Sequence, residues 1–443
     1  MPDFDTILHP DFLVPMMPRR EILTGRSVAI RAGQIAAILP TPEAQATDAR
    51  EHVELPGCAL MPGLINLHCH AAMSLLRGYA DDLSLMTWLQ RYIWPTESHF
   101  ISPEFVRDGS ELAIADLLMG GTTTLADQYF FPEVTAEAVD RSGLRALLTF
   151  PVIDVETAWA RDAESCINRG LALRDQYRDH DRIDVGFGPH STYMVSEGTL
   201  ARVAMLAEEL DAPVQIHLHE TRDEVLASVE RSGVRPIDFL EQIGLLGPRT
   251  QCVHMAALGD QDIETVATHG AHVVHCPRSN LKLGSGICPV QKLLDRDINV
   301  ALGTDGAASN NRLSMLGDLQ TASLIGKSQH GDPKAVDAWT ALEMATLHGA
   351  AALGLRDQLG SIEVDKAADL IALDLSGLQY LPRYDLASSL VYATSGNEVQ
   401  WSWVAGKPLV SAGALQTLDY TDLAERAGRW SDQLGAFRQT LES

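Results

Sequence analysis

The chain is short of basic residues and of cysteine, and each shortage narrows what it can do. Lys and Arg together number 34 against 59 Asp and Glu, a formal net charge of −25. Binding to phosphate backbones needs stripes of Lys and Arg, so this balance argues against nucleic acid as the main partner. It argues equally against an anionic membrane surface. The acids are scattered, and no block of like charge forms a tail. Only six cysteines occur, Cys58, Cys69, Cys166, Cys252, Cys276 and Cys288, and no two of them form a CxxC pair. So sparse a set reads as reduced thiols in a cytoplasmic protein. No stretch reaches the ~18 apolar residues of a membrane span. Residues 1–20 carry Asp3, Asp5 and Asp11 and lack an apolar segment behind a basic start, so no secretory signal is expected.

What is present is a globular composition, 46% hydrophobic and 21% charged over 443 residues. That length suggests about three domains at ~150 residues each, although one α/β barrel uses far more. Eight strand-like runs alternate with helix-like segments: Leu64–His70, Thr122–Gln128, Ala146–Ile153, Val185–Tyr193, Val214–Glu220, Thr250–Met255, His272–Ser279 and Asn299–Gly306. They are rich in Val, Ile, Leu, Thr and small residues, as strands buried on both faces should be. Ser102-Pro103 reads as a helix N-cap with Pro at the first position, and Gly120-Gly121 as its stop. Eight strands alternating with helices predict an α/β fold of the (β/α)8 TIM-barrel type.

The chain ends read as strand and turn: Ser27–Ile30 and Gln34–Leu39 at one end, Ala368–Leu373 and Val399–Val404 at the other. Residues 1–57 and 360–443 are therefore expected to build one small β-sandwich domain around a catalytic barrel of residues 58–359. The last segment places Leu423, Ala427, Trp430, Leu434, Phe437 and Leu441 on one helical stripe. Packing against the body of the protein is the simplest use for it.

Barrel enzymes carry their chemistry at the C-terminal ends of the strands. The first run ends in His68-Cys69-His70, and residues i and i+2 share a strand face. Two unliganded imidazoles buried there would be costly, so the pair points to a metal. The later runs add His190, His217-Leu218-His219-Glu220, His254 and Asp305. Imidazoles with one carboxylate suit Zn²⁺ or Fe²⁺ better than Mg²⁺ or Ca²⁺. Strand parity alone does not choose between His217 and His219.

Pro62-Gly63-Leu64-Ile65-Asn66-Leu67-His68-Cys69-His70 resembles the opening motif of the amidohydrolase superfamily, and His217…Glu220, His254 and Asp305 follow in the order of its mononuclear deaminases. Leu75-Leu76-Arg77-Gly78, Trp94-Pro95-Thr96-Glu97, His275-Cys276-Pro277, Ser279-Asn280-Leu281-Lys282 and Asp305-Gly306-Ala307-Ala308-Ser309-Asn310 narrow the resemblance to the 5′-methylthioadenosine/S-adenosylhomocysteine deaminases. The resemblance implies one Zn²⁺ per subunit, ahead of Fe²⁺, held by His68, His70, His217 and Asp305. Strand 4 ends in Gly188-Pro189-His190 and lacks the bridging Lys or Glu of binuclear relatives.

The implied activity is hydrolytic deamination of an adenine nucleoside by a zinc-dependent aminohydrolase. Glu220 serves as general acid/base, His254 holds the attacking oxygen, and Asp305 takes a proton. Glu97 grips the ribose hydroxyls and His190 the nucleoside. Trp88 either walls the purine pocket or fills core. His219 reads as a hydrogen-bonded neighbour. The expected partner is a small nucleoside, and relatives of this kind are often homo-oligomers.

One departure concerns the amino-acid tail of S-adenosylhomocysteine, which members that bind it well meet with arginines after strand 3. Here Phe150-Pro151-Val152-Ile153-Asp154-Val155 is largely apolar and Arg161 is the only nearby cation. Methylthioadenosine and adenosine are therefore expected to outrank it. The competing readings are a guanine- or cytosine-type deaminase, a triazine chlorohydrolase, ring-amide hydrolysis, and a metal-free binding barrel.

Overall fold

The computed structural model describes residues 2–442. Sixteen strands form two eight-stranded sheets. The first four, β1 (Phe4–Leu13), β2 (Arg26–Arg31), β3 (Gln34–Pro40) and β4 (Ala49–Pro62), precede the barrel. The barrel strands are β5 (Leu64–Cys69), β6 (Thr122–Asp127), β7 (Arg145–Val152), β8 (Ile183–Pro189), β9 (Val214–Leu218), β10 (Thr250–His254), β11 (His272–His275) and β12 (Val300–Leu302). The last four, β13 (Leu370–Asp374), β14 (Val399–Val404), β15 (Lys407–Ser411) and β16 (Ala414–Leu415), return to the first sheet.

All eight runs expected as barrel strands are strands. Neighbours from β5 to β12 pair in parallel and in chain order. β5 and β12 meet through polar bonds just beyond the shorter strand. Asp305 N–H donates to the His68 carbonyl at 3.0 Å, and the Asn66 side chain bonds Thr304 at both its backbone N–H and its hydroxyl. Gly303 permits the approach: a Cβ there would lie 2.8 Å from the His68 Cβ. Several runs stop short of the sequence expectation. His219, His254, Met255 and Asp305 all have positive φ, which ends the extended backbone there. Pro277 opens a helix, Pro277–Leu283, where the seventh run was expected to continue to Ser279.

The strands of both chain ends form one sheet in the order β16-β15-β14-β13-β4-β1-β2-β3. It curls on itself, since Ile35 N–H donates to the Lys366 carbonyl and Ala368 N–H to that of Gly33. Leu8, Val28, Ile35, Leu55, Leu370 and Trp403 fill the interior. The β14–β15 turn uses Ala405 and Gly406, both at positive φ, the geometry of a tight hairpin. A buried ion pair from Arg145 of β7 to Asp369 (2.9 Å) ties this sheet to the barrel.

The helix Pro103–Met119 begins as expected, with the Ser102 hydroxyl accepting from Phe105 N–H. The terminal helix Tyr420–Glu442 lies against it. Leu423, Trp430 and Leu434 are buried, Trp430 Nε1–H donates to Asp108, and Arg426 pairs with Asp108 and Glu111. Phe437 stacks on His99 of the helix Trp94–Phe100. The stripe therefore packs on the protein's own body. All six cysteines are buried and unpaired. Among the described residues no helix is long and apolar enough to cross a membrane.

Candidate active site

The imidazoles at the barrel mouth are oriented by what their Nδ1 atoms touch. Gln215 of β9 gives its Nε2–H groups to the Leu67 carbonyl and to Gln251, so its Oε1 is the atom that faces His68 Nδ1 at 2.6 Å. His70 Nδ1 donates to the Gln128 carbonyl at 2.6 Å, and His217 Nδ1 to the His190 carbonyl at 2.8 Å. With Nδ1 carrying the hydrogen, each Nε2 presents a lone pair. These lone pairs converge: His217 Nε2 lies 3.2 Å from His68 Nε2. Asp305 Oδ1 lies 3.5 Å from His68 Nε2 and 3.3 Å from His70 Nε2. Burial pushes His68 down to about 4 and His217 well below its ordinary value, so these rings are neutral at pH 7. Electron-pair donors packed this closely repel one another unless a cation sits among them. The donor set therefore fits a divalent metal, and imidazole with carboxylate suits zinc.

Asp305 is held by three donors. Ser279 and Ser309 hydroxyls reach Oδ2 at 2.6 and 2.9 Å, and Gly306 N–H reaches Oδ1 at 2.7 Å. Glu220 sits beside it, buried, with the Ser285 hydroxyl donating to Oε1 at 3.0 Å. Burial, reinforced by the Asp305 charge, pushes the Glu220 carboxyl up to about 8. His254 Nε2 lies 3.8 Å from Glu220 Oε2, and its Nδ1 pairs with Asn280 Oδ1 at 2.9 Å.

His70, His217, Glu220, His254 and Asp305 line a cavity of about 780 Å³ together with His190, Tyr129, Trp88 and Glu97. Glu97 comes from the helix Trp94–Phe100, and its Oε1 accepts from the Tyr129 hydroxyl at 2.7 Å. Burial pushes Glu97 up to about 7. The His190 ring lies 4.8 Å from that of His217. Trp88 is buried in the wall, and its indole N–H has no hydrogen-bond partner among the described residues. Among the described residues no Lys or Arg lines the cavity, whereas Glu97, Glu156, Glu220 and Asp305 do; Arg161 is not part of the wall.

The structure thus gathers His68, His70, His190, His217, Glu220, His254, Asp305, Glu97 and Trp88 at one mouth. His219 is turned away. Its positive φ breaks the parity with His217, and its ring bonds the Ala257 carbonyl and Ile237 N–H, both at 3.2 Å. Sequence reasoning missed the residues that brace the site: Gln215, Gln128, Tyr129, Ser279, Ser285 and Glu224. Glu224 accepts from Glu220 N–H at 2.7 Å and from His219 N–H at 3.2 Å, fixing the turn that presents Glu220. Gln215 was within reach of the parity argument, since it sits two residues before His217 on the same face. Ser279 stood in the Ser279-Asn280-Leu281-Lys282 motif without a role of its own, and the others have no signal in the sequence.

A parallel eight-stranded barrel with histidines and acids converging beyond its C-terminal strand ends is the architecture of a barrel hydrolase with a candidate metal centre. The profile of the amidohydrolase family matches residues 59–409, and the chain belongs to that family of enzymes. A 5-methylthioadenosine/S-adenosylhomocysteine deaminase from Teredinibacter turnerae is 49% identical over 435 residues, which cover 98% of each chain. A crystal structure of an adenosine deaminase from Xanthomonas campestris with bound zinc is 44% identical, covers 98% of this chain and 99% of its own, and superposes with a TM-score of 0.96. An atrazine chlorohydrolase from Arthrobacter aurescens, also with zinc, is 23% identical over 96% of this chain and 99% of its own, with a TM-score of 0.89; it shares the fold. The deaminase resemblance carried by His68-Cys69-His70 and Asp305-Gly306 is borne out by the first two.

Proposed function

We propose that this protein removes the 6-amino group of an adenine nucleoside by hydrolysis, taking 5′-methylthioadenosine ahead of S-adenosylhomocysteine. The observation that supports this most directly is the cavity itself. Its wall holds both an imidazole–carboxylate centre and the Glu97 carboxylate, and among the described residues no Lys or Arg lines it.

His68, His70, His217 and Asp305 are the residues that would hold Zn²⁺. The cation, when bound, supplies water activated for attack at neutral pH. Asp305 takes a proton from the attacking water at a carboxylate oxygen, and His254 Nε2 orients that oxygen toward C6. Glu220, pushed up to about 8, holds a proton at neutral pH. It passes that proton to ring N1 as the C6–O bond forms; the proton held by Asp305 then goes to the 6-amino group, which leaves as ammonia as the C6–N bond breaks, and Glu220 takes the C6 hydroxyl proton, so both carboxyl groups return to their starting state. The product is the corresponding inosine analogue. Glu97 has two carboxylate oxygens to accept from the two ribose hydroxyls, which suits a nucleoside better than a free base. His190 packs along the nucleoside, and the Trp88 indole N–H is free to meet it.

The tail of S-adenosylhomocysteine carries a carboxylate, which would enter a wall holding Glu156 and no cation. A thiomethyl group meets Ile153, Val155 and Pro151 without that cost. A panel of methylthioadenosine, adenosine, S-adenosylhomocysteine and free adenine, followed by the absorbance change on deamination, tests the assignment. A kcat/KM higher for S-adenosylhomocysteine than for methylthioadenosine overturns the ranking. We also place the protein in a reducing compartment, the cytoplasm, since its buried thiols are unpaired. Thiol titration of the denatured, unreduced protein should count all six.

A further inference from the structure

The Tyr129 hydroxyl is the one side-chain group bonded to the Glu97 carboxylate among the described residues, at 2.7 Å. Tyr129 follows Gln128, whose backbone carbonyl fixes His70 Nδ1 at 2.6 Å. Gln128 is itself pinned on both sides, by its N–H to the Cys69 carbonyl (3.0 Å) and by its Nε2–H to the Gly188 carbonyl (2.8 Å). Two consecutive residues therefore touch both groups, one at an imidazole of the candidate metal site, the other at the carboxylate proposed to hold ribose. Glu97 sits on a separate seven-residue helix outside the barrel. Without Tyr129 nothing on the barrel itself would fix where its carboxylate stands.

We propose that Tyr129 is a positioning residue for nucleoside recognition: its hydroxyl holds one oxygen of Glu97 and so sets the ribose-binding carboxylate at a fixed distance from the metal cluster. This rests on the assignment of Glu97 to the ribose diol. The chemistry of the pair is suited to the task. Tyr129 is buried, and burial together with the neighbouring Glu97 charge pushes its hydroxyl well up, so it remains a donor. A hydroxyl donating to Oε1 leaves Oε2, and the second lone pair of Oε1, to accept from the two sugar hydroxyls. The aromatic ring packs toward His70, 6.3 Å between centroids, so the side chain has little room to swing.

Tyr129→Phe removes the hydroxyl and keeps the ring. Adenosine and 2′,3′-dideoxyadenosine are the two probes, with kcat and KM measured for each in the zinc-loaded enzyme. The expected result is a kcat/KM loss about tenfold larger for adenosine than for the dideoxy nucleoside, the size of one charge-assisted hydrogen bond, expressed mainly in KM. Metal content should match the parent enzyme. Glu97→Gln should show the same bias toward the dideoxy nucleoside, and Tyr129→Phe added to Glu97→Gln should cost little more. Equal losses on both nucleosides, or full additivity of the two substitutions, would overturn the role of Tyr129. If the parent enzyme itself treats adenosine and the dideoxy nucleoside alike, the assignment of Glu97 to the diol fails, and Tyr129 fails with it. If the parent discriminates and Tyr129→Phe discriminates equally well, only the Tyr129 proposal fails.

Discussion

His68, His70 and His217 are each set by an acceptor on the far side: an amide oxygen for His68 and backbone carbonyls for His70 and His217. These contacts decide which nitrogen faces the site, a property that a residue's identity alone does not carry. Glu220 is the group whose role is most exposed to test. Glu220→Gln keeps the Ser285 contact and the side-chain volume while removing the transferable proton. It should retain metal and lose about 10²- to 10⁴-fold in kcat. In the proposed mechanism the protonated carboxyl is the active form. With that carboxyl pushed up to about 8, kcat should fall as pH rises through about 8. Asp305→Ala differs in kind, because Asp305 faces both His68 and His70 and should take the metal with it. Elemental analysis separates the two variants.

At the level of elements, His68 and His70 were legible from the alternating faces of a strand, and so was the convergence of His217, His254 and Asp305 at later strand ends. The choice between His217 and His219 was not. It depends on a left-handed residue at 219, and strand parity assumes extended backbone. The same kinks at His254 and Asp305 shortened the strands relative to expectation. Non-glycine residues in the left-handed region cost of order 1–3 kcal/mol each, and His254 and Asp305 are the two of them that line the cavity among the described residues. Glu97 reached the site list through resemblance, since its helix lies far in sequence from the strand ends and reads as solvated. Its neighbour Tyr129 had no signal at all.

Gly303→Ala forces β12 away from His68, and metal content should drop while the chain remains folded, measured by elemental analysis and circular dichroism. Trp430→Ala empties a buried site between the terminal helix and the helix Pro103–Met119 and removes the donor to Asp108. It should destabilise the protein by about 3–5 kcal/mol in denaturant titration. Because Phe437 of the same helix stacks on His99, two residues from Glu97, KM should rise more than kcat falls.

Across the whole molecule, the fold puts the chemistry in the barrel and uses both chain ends to cover and tie it. The (β/α)8 architecture was legible because eight strands buried on both faces must be apolar and must be spaced by helices. That the chain ends would join in one β unit was legible from their strand and turn character. Its register was not, because β1 and β4 pair in parallel across a hairpin that separates them in sequence. The charge of −25 is consistent with a cavity whose titratable wall is acidic and imidazole, with no basic side chain to draw in an anionic ligand.

The most direct measurement is turnover of 5′-methylthioadenosine by the purified chain as isolated, after chelation, and after zinc is restored, with bound metal counted in each state. The expected result is one zinc per chain, ammonia released in step with the nucleoside consumed, activity lost on chelation and regained with zinc, and a lower kcat/KM for S-adenosylhomocysteine. A fully metal-loaded chain that deaminates no adenine nucleoside, or a stripped chain that remains as active as the loaded one, would contradict it.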